Sequence, residues 1–152
     1  MRLRIHHFFD IIRDFGAGKE FQPHPYLHSY HKIANIILKQ PLIKIEIVTE
    51  SDSVCVGCIK LKGKRCTDII THRKDFKGKE EFNNYLDIRI MDICEIEENS
   101  VTTPASLIKA SEKYITNIHF IYSGNDKEHT EMRKTNVMKG VEFYVREHGI
   151  RS

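Results

Sequence analysis

Three of the four cysteines in this 152-residue chain fall within SDSVCVGCIKLKGKRC, residues 51–66, in the spacing C-x2-C-x7-C. No other stretch restricts the fold as tightly. A C-x2-C turn points two sulfurs the same way, and a third on a short glycine-containing loop can converge with them on one soft cation. Gly57 and Gly63 give the backbone the freedom to wrap, and Lys60, Lys62, Lys64 and Arg65 would offset the charge of several thiolates.

Four chemistries compete for Cys55, Cys58 and Cys66: a metal knuckle, a redox pair, a disulfide and ordinary buried thiols. The opening MRLRIHHFFDIIRDF begins basic and turns apolar, but Asp10, Arg13 and Asp14 interrupt it and no small-residue cleavage site follows. It reads as mature protein, which predicts a cytoplasmic chain in which disulfides are rare. Lysine-rich flanks are a poor setting for a buried core thiol. A redox C-x2-C belongs at a helix N-terminus, and IKLKGK is a poor first helical turn. The metal knuckle is the reading that survives best, with a thiol redox protein using Cys55 and Cys58 as an alternative.

Around this stretch the periodicity is mainly helical. Ile5, Phe8, Phe9, Ile12 and Phe15 predict a helix over residues 3–15, and GAGK closes it. Pro25 suits the first position of a second helix running to about Lys39. LIKIEIV, residues 42–48, alternates apolar and charged residues as a half-buried strand does. Helices are expected from Cys66 to Phe76, over 79–92, from Pro104 behind a Thr103 cap, and over 127–148. NIHFIY, residues 117–122, fits either a strand or a buried turn. The chain is therefore expected to be one α+β domain over residues 1–152, mainly helical, with a small sheet and a cysteine knuckle at 51–66.

A net charge of +3, from 24 Lys and Arg against 21 Asp and Glu, is too mild to identify a nucleic-acid protein. The local basic cluster keeps open a nucleic-acid module stiffened by the knuckle. No apolar run is long enough to span a membrane. There is no phosphate loop, no nucleophile elbow and no H-E-x-x-H, so no reaction is assigned. His24, His28 and His31 fall at helical spacing, which suits either a solvated face or a set of metal ligands.

The segments RLRIHHFFD, IEIV, DSVCVGC and KGKRC, taken together, resemble an uncharacterised family of small prokaryotic proteins usually labelled iron–sulfur binding. The resemblance implies that Cys55, Cys58 and Cys66 are metal ligands and that His6 and His7 are the family's paired histidines. Asp10 stands where the family pattern has a cysteine, and His119 lies where it has a later cysteine pair. With part of the thiol set absent, the donors suit zinc as well as an iron–sulfur cluster. The fourth donor is expected among Cys94, Asp10, His72, His119 and His7.

Overall fold

The computed structural model describes residues 1–150. A three-stranded sheet in the order β1-β2-β5 lies against six helices. Its strands are β1 (Arg2–Leu3), β2 (Ile45–Ile47) and β5 (Val101–Thr102). β1 runs parallel to β2 with Leu3 opposite Ile47, and β5 is antiparallel to β2 with Thr102 opposite Ile45. β2 is shorter than the alternation of LIKIEIV predicts. Leu42 is 75% exposed, while Ile45 and Ile47 are fully buried and Glu46 points outward. Only the second half of that pattern meets partner strands.

α1 (Ile5–Gly16) carries the apolar face expected of it, with Ile5, Phe8, Phe9, Ile11 and Ile12 buried. It packs closely on α6 (Lys127–His148), and glycine sets the separation of the two backbones. A Cβ built on Gly140 would lie 2.0 Å from the Ile12 carbonyl oxygen, and one on Gly16 would lie 1.8 Å from that of Asn136. α6 begins where charge and capping predict: the Asp126 carboxylate accepts from the His129 N–H at 3.0 Å, and Gly149 ends the helix at φ 63°.

α4 (Pro104–Thr116) starts as expected, with the Thr103 hydroxyl accepting from the Ser106 N–H at 3.2 Å. NIHFIY becomes a single helical turn, α5 (Ile118–Ile121). The Phe9 ring stacks on Tyr114 at 3.9 Å between centroids, and the Tyr114 and Tyr122 hydroxyls lie 2.7 Å apart. These contacts hold α1, α4 and α5 in one core.

Two helical expectations fail, and both failures place the site. α2 spans Tyr30–Lys39 and not the residues from Pro25 onward. Residues 24–29 form a loop in which Leu27 adopts φ 63°, and the cysteine stretch takes their hydrogen bonds. The Ser29 N–H donates to Val54 O at 2.7 Å, the Ser29 hydroxyl to Val56 O at 2.7 Å and the Ile59 N–H to Tyr26 O at 2.8 Å. The segment from Cys66 to Phe76 is likewise not helical. It is a loop closed by an isolated bridge between Ile69 and Gly78, after which α3 (Lys79–Cys94) begins. No helix among the described residues is long and apolar enough to cross a membrane.

Candidate functional site

The cysteine stretch is built from short local devices. Ser53–Cys55 forms one 3-10 turn, capped by the Asp52 carboxylate, which accepts from the Val54 N–H at 3.1 Å. The Cys58 N–H donates to Cys55 O at 3.0 Å, closing the knuckle, and Gly57 adopts φ 84° there with its Cα against the Leu27 carbonyl. β3 (Leu61–Lys62) and β4 (Arg65–Cys66) then form a hairpin around Gly63, which sets Cys66 opposite Leu61.

All three thiols line a single cleft of about 950 Å³ bounded by α1, the 24–29 loop, α3 and the start of α6. His7, Asp10 and His72 line it too, so six of the eight candidate ligands share one space. Cys94 and His119 do not. Cys94 is buried at the end of α3, its thiol 3.8 Å from Ala110 O, and burial pushes that thiol up to about 11. His119 stands on the exposed side of α5, paired with Glu131. All four cysteines are free thiols. Among the described residues no three His, Cys, Asp or Glu side chains stand close enough together to enclose an ion.

A buried polar network organises the cleft's inner wall. Arg4, 1% exposed, donates to Glu80 at 2.9 Å, to Asn84 at 2.9 Å and to Asp87 at 3.0 Å, and its backbone N–H donates to Asp52 at 2.7 Å. Those acids in turn hold other groups. Asp87 takes the His6 backbone N–H at 3.0 Å and the His6 Nδ1 at 2.7 Å. Asp52 takes the His7 Nδ1 at 2.7 Å and lies 3.4 Å from the Cys55 sulfur, while Glu80 accepts from the Cys66 N–H at 3.2 Å. A helical wheel turns only one of His6 and His7 towards any site. Here both open on the cleft, because they sit in the first turn of α1 and a different carboxylate draws each ring.

Arg4 and Asp52 lie within RLRIHHFFD and DSVCVGC, but the sequence assigns no role to them or to Glu80 and Asp87. Asp87 had one signal: it interrupts the buried stripe of Asn83, Leu86, Ile90 and Met91 on α3.

Burial and charge set the protonation of these groups. Burial alone would raise Asp52, but His7 and the Arg4 N–H outweigh it and hold its carboxyl down to about 2. Burial opposes the charged form of His7, yet Asp52 wins and raises it above its ordinary value. Asp10 is half-buried, and Arg13 at 3.4 Å and Arg133 at 2.7 Å outweigh its desolvation and hold it well below the carboxylate range. Burial, then Arg73, lowers His72, which favours the neutral imidazole.

Burial, then Asp52, pushes the Cys55 thiol up from 9.0 to about 12. This is opposite to the direction an attacking redox thiol needs. A raised thiol pKa stabilises the fold below the unfolded value and loses that contribution as pH climbs towards the folded one. Alkylation of Cys55 by iodoacetamide at pH 8 is therefore expected to run more than about a hundredfold slower than that of free cysteine. Peptide mapping of a time course reads this, and a rate equal to free cysteine would contradict it.

The loop's cations are partly matched. Arg65 pairs with Glu81, Arg73 with Asp75 at 2.6 Å and Lys79 with Asp68 at 3.9 Å, while Lys60 sits over the Tyr26 ring. Lys62, Lys64, Lys74 and Lys77 are exposed and make no ion pair among the described residues, so about half of the basic cluster is left unopposed.

A family described as protein of unknown function (DUF1284) matches residues 23–137, about three quarters of the chain. The chain belongs to this family. The matched DUF1284 region carries all four cysteines, the 24–29 loop and α3, and it begins after the paired histidines of α1. No curated protein and no solved structure matches the chain.

Proposed function

We propose that this DUF1284 protein binds zinc in a site built from Cys55, Cys58, Cys66 and His72. One observation carries the reading: the three thiols of C-x2-C-x7-C line the same cleft as the imidazole that follows six residues later. Three thiolates and one neutral imidazole are a common structural zinc set, whereas an iron–sulfur cluster takes a shell of mostly thiolates. Closing the cage requires the β3–β4 hairpin to tighten on the knuckle, with Gly57 and Gly63 as its pivots. A bound zinc would hold the loop and the α3 N-terminus together; Glu80 would keep the Cys66 N–H, while Cys55 would give up its S–H bond to Asp52 along with its proton. Because each thiol must lose its proton, affinity rises with pH.

Protein purified without air is expected to contain at least one zinc per chain, and cobalt substitution to give a thiolate charge-transfer band. Cys58→Ser should abolish that band and Cys94→Ser should leave it intact. Metal-free protein that gives no such band with cobalt would overturn the assignment. Iron with sulfide in place of zinc would restore the iron–sulfur reading.

A further inference from the structure

His6 and His7 are supported in a way that a merely buried histidine does not require. Each ring gives its Nδ1 to a carboxylate, and the two carboxylates come from different segments: Asp87 on α3 and Asp52 ahead of the knuckle. An ionised carboxylate only accepts, so both Nδ1 atoms carry the proton and each ring, once neutral, presents a lone pair at Nε2; Asp52 raises His7, so its ring reaches that form at higher pH than an ordinary imidazole. Among the described residues both rings hydrogen-bond through Nδ1 and neither through Nε2, both line the cleft, and their centroids lie 4.2 Å apart. Arg4 fixes both acids from behind, bonding the Asp87 side chain at 3.0 Å and giving its backbone N–H to Asp52 at 2.7 Å.

His24 and His28 line the same cleft with the opposite polarity. Their Nδ1 atoms accept from the Tyr26 and Tyr30 N–H groups at 3.0 and 3.4 Å, so their neutral rings carry the proton on Nε2. Of the six histidines that line the cleft, these four therefore divide into two that can coordinate and two that can donate when neutral. Asp10, Asp14, Glu80, Asp126 and Glu128 also line it, and they outnumber its arginines and lysines.

We infer that His6 and His7 form a second metal position, independent of the cysteines, for an imidazole-seeking divalent ion such as zinc, nickel or copper(II). Buried carboxylates behind paired imidazoles are the outer-shell arrangement that orients metal-bound histidine and strengthens its donor atom. With only two protein ligands the position is open, and water or a small anionic ligand would complete it. The inference does not depend on the zinc knuckle.

The test uses the full chain with Cys55→Ser, Cys58→Ser and Cys66→Ser, titrated with zinc and followed by calorimetry and imidazole nitrogen NMR. One zinc is expected to remain, with the Nε2 resonances of His6 and His7 displaced. Asp52→Asn in that background should weaken binding by about 10- to 100-fold. No binding, or binding that leaves both Nε2 signals in place, overturns the inference. A second measurement needs no substitution: in zinc-free wild-type protein both rings should be protonated at Nδ1, and a spectrum showing the proton on Nε2 would also overturn it. Failure of the knuckle alone looks different. Wild-type protein would then bind this same single zinc and show no thiolate band with cobalt.

Discussion

Gly140→Ala is expected to cost more than about 3 kcal/mol of stability, at or beyond the upper end of ordinary overpacking. The new methyl would sit 2.0 Å from the Ile12 carbonyl oxygen and 2.9 Å from the Ile12 side chain, so backbone must move to admit it. α1 and α6 cannot separate without disturbing Phe9 on Tyr114 and Arg133 on Asp10, which depend on their spacing. In a chain of this size the midpoint should fall by roughly 10 °C in thermal denaturation followed by circular dichroism. Gly16→Ala strains the same crossing, so the two together should cost less than the sum of their separate effects. Gly149→Ala is the control. Its φ of 63° is strained for alanine, but nothing lies within 4 Å, and about 1 kcal/mol is expected. Equal losses at Gly140 and Gly149 would show that the close helix crossing is not what holds this core.

Arg4→Met should be comparably severe for a different reason. It leaves Asp87, which is fully buried, and Glu80 without the guanidinium that neutralises them, and breaking a buried ion pair from one side costs about 3–5 kcal/mol. Urea denaturation at pH 7 would show the loss. It should shrink when the pH is lowered enough to protonate the stranded carboxylates. Arg4→Met with Asp87→Leu should recover part of the stability, since apolar replacement of a buried pair is tolerated better than half of one. His6 would still lose its partner, so recovery of the fold and recovery of the histidine tautomer should separate. If Arg4→Met unfolds at the wild-type urea concentration, the network is not structural.

The helices were legible where their apolar faces meet a core. α1, α3, α4 and α6 appear close to where spacing and caps place them, down to the Thr103 hydroxyl cap. Residues 25–29 and 66–76 were misread for a shared reason. Local pattern cannot register that a loop's polar groups will bond outside it: Ser29 gives its N–H to Val54 and its hydroxyl to Val56, Tyr26 accepts from Ile59, and the Thr67 and Ile70 N–H groups go to Lys60 and Lys77. Gathering Cys55, Cys58, Cys66, His7, Asp10 and His72 around one cleft follows from fold and spacing together. The supporting residues are another matter. Asp52 and Asp87 reach their histidines across 45 and 81 positions, and no local spacing records such a partnership.

The pair between Arg133 and Asp10 joins positions 123 apart and brings α6 to the mouth of the cleft. During synthesis the knuckle, the 24–29 loop and both carboxylate–histidine pairs leave the ribosome well before α6 does. At that stage α1 has no partner across its glycine face, and the cleft lacks the wall that Arg133, His129 and Glu128 later provide. A nascent chain can therefore present its thiols and imidazoles to the surrounding solution, while the finished protein restricts their access. α6 therefore completes the cleft only after the residues that line its other walls have been made.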